Sequence, residues 1–517
     1  MSITGIAERK AAAARAGSDH RWLVLVVVSI AQLMVVLDAT VVNIALPSAQ
    51  HDLGFSNNDR QWVVTAYALA FGSLLLLGGR VGDLLGRKRT FLISLVAFAL
   101  ASALGGAAPD FAVLVIARAL QGVAGAMLAP AALSTLVTTF RDPSDRGKAF
   151  GVFGTVAVGG GAVGLILGGV LTEYLSWRWC MYVNVFFAAA AVLGAVIYMS
   201  ETKPPVRPRI DIAGTITAGL GLFGLVFGFA QAETDGWGSV VTIVSLALGV
   251  AFLAVFVRIE QRVGTPLLPL RVVADRSRGM AFVAVGIAGL AMFGLFLFLT
   301  YYLQLVLHFS PVTSGLAFLP MIACVMISSN TANIVTLPRF GPRIVITVGM
   351  VLGFLGLGYL SRIDVHSSYA GGVLPALILM GFAMGMVMAP SMNTATAGVA
   401  PQDSGVAAAL VSTMQQVGGS IGTALMSTIA ASVTSSYIST HGLVTNAAGF
   451  DAAASTHGYT IVFGVSALIF VVGAVLAASF FPSKQRLAAM RESVAATAPQ
   501  VPEAAAQAET EGVTVQA

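Results

Sequence analysis

Two opposite charges lie inside apolar segments of this sequence, and they are the side chains best suited to chemistry. Asp38 lies in the stretch VVLDATVVNIALP, within an apolar run that begins at Leu23. Arg118 lies in a second apolar run, which begins at Phe111. A carboxylate in hydrocarbon costs roughly 2.5–3.5 kcal/mol on insertion scales, so a chain keeps one there for a reason.

The positions of Asp38 and Arg118 predict that they lie at a similar depth if their segments are antiparallel helices, because each residue adds about 1.5 Å along a helix. One interpretation is a structural ion pair. The other is a proton site, in which protonation of Asp38 removes a charge from a cavity. We favour the proton site, since no histidine or second acid lies as deep in an apolar segment.

The composition excludes a soluble protein. Of the 517 residues, 57% are hydrophobic and only 10% are charged, whereas soluble domains carry about 25% charged residues. Cys180 and Cys324 have no ligand spacing around them, so neither a metal site nor a disulfide is expected. The sequence contains no G-x-x-x-x-G-K-[ST] motif and no visible catalytic triad, so we expect neither an ATP-driven pump nor an enzyme.

Apolar runs of about 20 residues predict fourteen membrane-spanning helices. Their approximate limits are 23–47, 61–79, 90–108, 111–137, 149–172, 179–200, 211–230, 238–257, 279–307, 312–336, 343–361, 371–396, 405–431 and 458–481. With the N-terminus in the cytoplasm, 24 of the 28 Lys and Arg residues fall in cytoplasmic loops and tails, as the positive-inside rule requires. Arg60, Arg178 and Arg362 fall in outer loops, and both termini are therefore predicted to be cytoplasmic.

Two short matches indicate an internal repeat. LGFS at Leu53–Ser56 recurs as LHFS at Leu307–Ser310, an offset of 254 residues. Gly86, in GRVGDLLGRKR, pairs with Gly341, in LPRFGPR, at an offset of 255 residues. Nearly equal offsets predict two related halves around a central site.

The repeat predicts the domain organisation. We expect a cytoplasmic tail at 1–22, a six-helix bundle at 23–200, two inserted helices with linkers at 201–278, a second six-helix bundle at 279–481 and a cytoplasmic tail at 482–517. Both tails are expected to be disordered. A long outer loop at 432–458 has no Lys or Arg, and it is either a lid or flexible filler.

The segment between helices two and three predicts a conformational latch in addition to a cytoplasmic loop. Its glycines permit a tight turn and close helix approach, its acid is placed to cap a helix or pair with a base, and its basic residues hold the loop inside. These residues are Gly82, Asp83, Gly86, Arg87, Lys88 and Arg89.

Four stretches carry a resemblance to a known family. The loop GRVGDLLGRKR resembles a signature of the major facilitator superfamily. LDATVVNIALP is similar to the first-helix motif of its fourteen-helix drug:proton antiporter subfamily, the EmrB/QacA type. ARALQGVAGAM resembles the fourth-helix motif, and WRWCMYVNVF resembles the start of helix six, with Phe186 where proline is usual.

The fifth helix departs from the pattern of the family that the chain resembles. The antiporter motif usually reads GPxLGG, and here GLILGG places Leu165 at the proline position. The kink that proline would produce is therefore not assured. Glycines at Gly160, Gly164, Gly168 and Gly169 still allow close packing or bending.

Several side chains within the spans are candidates for lining a substrate cavity. These are Met34, Gln121, Tyr301, Gln304, Asn330, Asn333, Asn393 and Gln415. The alternative for the polar ones is that they join helices by hydrogen bonds. Methionines, as in MGFAMGMVMAP, reshape around different ligands or simply face lipid.

The resemblance implies an all-α major facilitator fold with two six-helix bundles plus two central helices, and proton-coupled efflux of hydrophobic or amphiphilic drugs. The implied partners are protons, lipophilic or cationic small molecules and lipid, and no nucleic acid is expected. A proton gradient supplies the energy and no cofactor is expected. The functional unit is expected to be a monomer. A symporter that imports a polar metabolite is the alternative. The high Ala and Gly content indicates a GC-rich bacterium, and the plasma membrane is the expected location.

Overall fold

The computed structural model describes residues 3–56, 59–140, 142–201, 211–264, 266–397, 399, 404–441 and 452–482, and of residues 3–19 the backbone alone. Within these ranges the fold is all helical, with no strand. Long apolar segments form helices because a backbone surrounded by lipid must satisfy its hydrogen bonds internally.

Sixteen helices follow one another in the described ranges. They are α1 (Ile3–Leu53), α2 (Arg60–Leu85), α3 (Arg87–Gly106), α4 (Phe111–Thr139), α5 (Pro143–Tyr174), α6 (Trp179–Tyr198), α7 (Ile212–Asp235), α8 (Val240–Glu260), α9 (Leu270–Ala274), α10 (Arg276–Tyr301), α11 (Pro311–Ala317), α12 (Leu319–Thr331), α13 (Leu337–Leu360), α14 (Leu374–Thr396), α15 (Ser404–His441) and α16 (Ala452–Phe480). Single π-helical segments at Tyr302–Val306, Ala332–Thr336 and Tyr369–Val373 extend or join them.

Twelve stretches of the described chain are long and apolar enough to cross a membrane. One of them, Pro311–Leu360, is 50 residues long and is broken at Gly341, whose φ of 77° is not helical. The 26-residue helix α2 is not among the twelve, although its length of about 39 Å exceeds the thickness of a bilayer core. The predicted count of fourteen spans stays a prediction that these observations accommodate.

The helices pack as two groups with a pair beside them. In the first group α4 packs against α2 and α3, and α1 against α5 and α6. In the second, α10 packs against α15, and α13 against α14 and α16. Helices α7 and α8 pack on each other, and α7 touches α2 and α15 where the two groups meet. The predicted domain boundaries themselves stay predictions.

The two sequence matches coincide with unusual backbone conformations. Gly54 and His308, which occupy equivalent places in LGFS and LHFS, have φ values of 67° and 55°. Gly86 and Gly341 have φ values of 94° and 77°. Left-handed backbone is rare outside glycine, so its recurrence at both pairs of positions shows that the matched segments share a local conformation.

Parts of two predicted irregular segments are helical. The tail expected to be disordered continues α1 back to Ile3, because its Ala-rich sequence has high helix propensity. The outer loop predicted at 432–458 is shorter, since α15 continues to His441 and α16 begins at Ala452. Residues 442–451 and the tail from 483 lie outside the described residues.

The apolar core differs between the two ends of the molecule. We call the end that holds the last turns of α1 the distal end, and the opposite one the proximal end. Distal residues of α1, from Leu37 to Ala49, share one apolar cluster with α10 and with Phe318 of the second group. Proximal residues of α1, from Val24 to Met34, belong to a separate cluster formed within the first group. The two groups are therefore fused at the distal end.

Candidate functional site

Asp38 is completely buried and accepts hydrogen bonds from three side chains. Its Oδ2 lies 2.6 Å from Nη1 of Arg118. Its Oδ1 accepts from Nε2 of Gln121 and from Nδ2 of Asn184, each at 2.8 Å. The carboxylate is thus compensated by one full positive charge and two amide donors, which is how a buried charge becomes tolerable.

Arg118 is itself almost fully buried and makes further contacts. Its Nε donates to the backbone carbonyl of Val63 at 3.0 Å, and its Nη1 also donates to Oε1 of Gln121 at 2.9 Å. The guanidinium carbon lies 4.5 Å from the centre of the Tyr67 ring. The amide of Gln121 reaches Oγ of Ser102 at 2.7 Å. This Asp38 network therefore joins α1, α2, α3, α4 and α6.

The spacing of residues in α4 explains how the network forms. Arg118 and Gln121 are three residues apart, so both project from the same face of the helix. Glycines at 122 and 125 let α2 approach this face, because a Cβ on Gly125 would lie 2.9 Å from the ring of Phe71. A Cβ on Gly122 would meet the backbone of α2 at Tyr67.

The structure adds three residues that sequence reasoning did not single out: Asn184, Ser102 and Tyr67. Asn184 lies in the stretch WRWCMYVNVF, and an amide in an otherwise apolar helix was the available signal. Gln121, a candidate cavity residue, bonds to Asp38, and its role in binding stays a prediction.

A second set of polar contacts joins the two groups of helices at the distal end. The hydroxyl of Tyr301 donates to Oε1 of Gln50 at 2.5 Å, and Nε2 of Gln304 donates to the carbonyl of Ile44 at 3.1 Å. The carboxylate of Glu173 accepts from the backbone N–H of Val312 at 3.0 Å. These distal contacts include two residues predicted to line a cavity, Tyr301 and Gln304.

Arg60 takes part in the distal contacts as well. The sequence predicts Arg60 in an outer loop, whereas it is the first residue of α2 and is 6% exposed. Its guanidinium carbon lies 4.2 Å from the centre of the Tyr301 ring. A cation over an aromatic face is attractive, and this contact explains why a charged residue is buried here.

The predicted latch packs against α6 at the proximal end. Nζ of Lys88 donates to the carbonyls of Val196 and Met199 at 3.0 and 2.6 Å. The backbone N–H of Arg89 donates to Glu201 at 3.3 Å, and a Cβ on Gly86 would collide with the same carboxylate. Arg87 is half-buried, Gly82 is buried with open space where a Cβ would be, and the Asp83 side chain lies outside the described part.

Comparison with known proteins identifies the family. A model described as Major Facilitator Superfamily matches residues 28–423. The chain belongs to the major facilitator superfamily. It is a multi-pass membrane transporter and not an enzyme.

Named relatives of this major facilitator transporter are concerned with antibiotics. It is 49% identical over 470 residues to "Puromycin resistance protein pur8" of Streptomyces alboniger, covering 90% of this chain and 93% of that one. It is 39% identical over 419 residues to "Cephamycin export protein CmcT" of Amycolatopsis lactamdurans, covering 80% and 85%. The relatives support assignment to the drug:proton antiporter subfamily.

A solved structure shares the major facilitator fold. It is a bacterial homolog of the human lysosomal transporter Spinster in an inward-facing, unoccupied conformation. The TM-score is 0.63 at 15% sequence identity, with 89% of this chain and 98% of that one covered.

The fifth-helix glycines of this transporter lie at helix contacts. Helix α5 runs from Pro143 to Tyr174 in one piece, so replacement of proline by Leu165 leaves it unbroken. A Cβ on Gly160, Gly164 or Gly168 would touch α1. A Cβ on Gly169 would lie 2.7 Å from the backbone of Pro311 and Val312 in the other group.

The remaining predicted cavity residues are dispersed. Met34 is fully buried in the proximal core of the first group. Asn330 is exposed and donates to Met326 of its own helix, while Asn393 donates to Oδ1 of Asn333 at 3.1 Å. Gln415 is half-buried in α15. Their role in binding stays a prediction.

Proposed function

We propose that this transporter exports lipophilic or amphiphilic compounds, antibiotics among them, in exchange for protons, and that Asp38 carries the proton. The printed names of its relatives support the export of antibiotics. The observation that carries the proton assignment is the Asp38–Arg118 pair, a fully buried carboxylate 2.6 Å from a guanidinium in a membrane helix. Intramembrane acids of this kind mark ion pathways.

Protonation of Asp38 changes the balance of charge within the network. The neutral acid no longer compensates Arg118, and the donors Gln121 and Asn184 lose an ionised acceptor. An uncompensated buried cation is unfavourable, so Arg118 must move or attract another anion or water. Arg118 also donates a hydrogen bond to the backbone carbonyl of Val63 in α2. A movement of Arg118 on protonation of Asp38 would therefore shift α2.

The transport cycle follows from alternating access between the two groups of helices. With both termini in the cytoplasm, the distal end faces outward and is closed in this structure. The proximal end then receives substrate while Asp38 is ionised. When the distal end opens, Asp38 takes a proton and the substrate leaves. The protonated transporter then returns to the state that is open at the proximal end, where Asp38 releases the proton. The proton gradient across the plasma membrane drives this cycle without a cofactor. A single monomer contains every part of this cycle.

Exchange in proteoliposomes tests this function. We would impose a pH gradient and follow a fluorescent lipophilic cation and the internal pH together for wild type and Asp38→Asn. We expect the wild type to exchange cation for protons and Asp38→Asn to lose at least about 100-fold, because asparagine cannot release a proton. Asp110→Asn is the control: Asp110 caps α4, and asparagine caps helices equally well.

Each result has a distinct meaning. If Asp38→Asn folds and still couples cation to proton movement, Asp38 is a structural partner of Arg118 and the proton assignment is wrong. If wild-type protein moves no lipophilic cation under a pH gradient, the proposed substrate class is wrong.

A further inference from the structure

The face of α2 opposite Arg118 carries buried polar groups that the Asp38 network does not use. Gln61 and Thr65 are both 0% exposed. Among the described residues, the amide nitrogen and oxygen of Gln61 and the hydroxyl of Thr65 have no hydrogen-bond partner. Buried polar groups without partners cost free energy and call for an explanation.

Helical geometry shows where these side chains point. Gln61, Thr65, Ala68 and Gly72 follow the spacing i, i+4, i+7 and i+11, so they form one stripe along α2. At Gly72 this stripe contacts α15: a Cβ added to Gly72 would lie 3.4 Å from side-chain atoms of Gln416 and Val417. The stripe therefore faces the second group of helices.

The facing side of α15 carries a matching stripe. Thr413, Ser420 and Ser427 repeat every seven residues, on the same side as Gln416. All three are buried, and in the described part of the chain none of their hydroxyls has a hydrogen-bond partner. We call the facing stripes the polar seam, formed by Gln61, Thr65, Thr413, Ser420 and Ser427.

The register brings the two stripes to the same depths. Helix α15 runs parallel to α10, since Gly289 lies against Gln415 and Gly294 lies against Met426. Helix α10 ends at Tyr301, in the distal contacts. Helix α2 begins there, so α2 and α15 are antiparallel. Gln61 lies eleven residues distal to Gly72, and Ser427 lies eleven residues distal to Gln416, so they face each other about 16 Å from that contact.

A contact between the two groups on the side of α5 is built differently. There α5 packs on α11 through glycines: Gly169 lies against the backbone of Pro311 and Val312, and Gly315 lies against the backbone at Leu165. Small residues that bring backbones together make a tight dry contact. The polar seam, in contrast, holds five side chains whose hydrogen-bonding groups become available only when the two groups separate.

We propose that the polar seam is a binding site for uncharged hydrogen-bonding groups of the exported compound, namely hydroxyl, amide and carbonyl groups. The site carries no charge, so it selects by hydrogen bonds and not by ionic attraction. Gln61, Thr65, Ser420 and Ser427 lie on the distal side of the contact between Gly72 and Gln416, and Thr413 lies one turn on its proximal side. The distal part of the seam is exposed when the distal end opens. This inference rests on the proposed export function and specifies the polar part of its substrates.

Binding of two contrasting probes tests the polar seam in the full-length protein in nanodiscs. Puromycin offers hydroxyl and amide groups, while tetraphenylphosphonium is a lipophilic cation without any hydrogen-bonding group. For Gln61→Leu we expect the Kd of puromycin to rise about tenfold and that of tetraphenylphosphonium to change less than twofold. Gln61→Leu should fold, because it replaces an unpartnered buried amide by an apolar side chain of similar size.

A matched pair of serines provides the control. Ser427→Ala and Ser314→Ala each remove a buried hydroxyl that has no hydrogen-bond partner, but Ser314 belongs to α11. We expect Ser427→Ala to weaken puromycin binding about threefold and Ser314→Ala to leave it unchanged.

Three outcomes would overturn the inference. Unchanged puromycin binding in Gln61→Leu means that the amide does not contact the compound. Equal weakening of both probes means that the seam only alters the balance between conformations. If the wild type neither binds nor transports either probe in proteoliposomes, the proposed export function is wrong and so is the proposed binding site. If the wild type exports normally and Gln61→Leu binds puromycin as the wild type does, only the binding site at the polar seam is wrong.

Discussion

The guanidinium of Arg118 donates to the backbone carbonyl of Val63 at 3.0 Å, and this bond connects the Asp38 network to α2. Val63 lies between Gln61 and Thr65 in the sequence, but its carbonyl is held by α4 while the two polar side chains face α15. In the cycle we propose, a change in the charge of Asp38 would act through Arg118 on the helix that carries one half of the polar seam. The proposed proton site and the proposed substrate site would then share helix α2.

Replacing Asn184 by leucine should slow proton-coupled exchange about tenfold. Asn184 supplies one of the two amide donors to Oδ1 of Asp38, and a hydrogen bond to a charged group is worth about 1.5–3 kcal/mol. Exchange rates in proteoliposomes measure the effect. Asn43→Leu is the control, because Asn43 donates to the carbonyl of Ala39 in its own helix. If Asn184→Leu exchanges at the wild-type rate, Asn184 does not belong to the proposed proton site.

Alanine should destabilise the protein at one glycine of the predicted latch and not at another. Gly86 has φ 94° and ψ 145°, a conformation that costs other residues about 1–3 kcal/mol. Gly82 lies within α2 with nothing near its missing Cβ, and alanine is favoured over glycine in a helix by about 0.5–1 kcal/mol. Gly86→Ala should lower the unfolding midpoint in detergent and Gly82→Ala should raise it or leave it unchanged; the same sign for both would contradict this account of the turn.

Alanine at Gly169 should push the distal ends of the two groups apart. Its Cβ would lie 2.7 Å from the backbone of Pro311 and Val312, and overpacking costs about 1–3 kcal/mol. Spin labels at the exposed residues His51 and His366 report the distal separation, and we expect a longer distance to gain population. Gly159→Ala, with nothing within 4 Å of the new methyl group, should reproduce the wild-type distance distribution.

Substitutions of two adjacent tyrosines distinguish an effect on distal closure from an effect on general stability. Tyr301 bonds to Gln50 across the two groups, whereas Tyr302 bonds to the carbonyl of Asp364 within the second group. Each hydrogen bond is worth about 1 kcal/mol, or roughly a fivefold change in an equilibrium. Tyr301→Phe should shift the distance distribution between labels at His51 and His366 toward the open form, and Tyr302→Phe should not; equal shifts would show that the bond to Gln50 has no special role.

The charged part of the site could be predicted from the sequence because charges in hydrocarbon are rare. Asp38 and Arg118 stand out in apolar runs, and counting residues from the helix ends placed them at one depth. Asn184 and Ser102 could not be found in this way. Neutral polar side chains occur throughout membrane helices, and their partners depend on helix rotation, which the sequence does not specify.

The same limit applies to the fold. Apolar runs predict the helices, and the repeat offset predicts two related halves; the shared turn conformations were visible only in the structure. The left-handed backbone of His308 could not be inferred from its residue type, because only its alignment with Gly54 pointed to it. The composition of the N-terminal tail predicts disorder, whereas its backbone is helical from Ile3, because alanine has a high helix propensity.

The fusion of the two apolar clusters at the distal end has a thermal consequence. Opening this end must part side chains such as Leu37 and Phe318, which share one cluster. Exposure of apolar surface raises the heat capacity, and the attraction that opposes it weakens on cooling. For the separation of this distal cluster taken alone, we therefore expect a free energy that is curved with temperature, with cooling favouring separation.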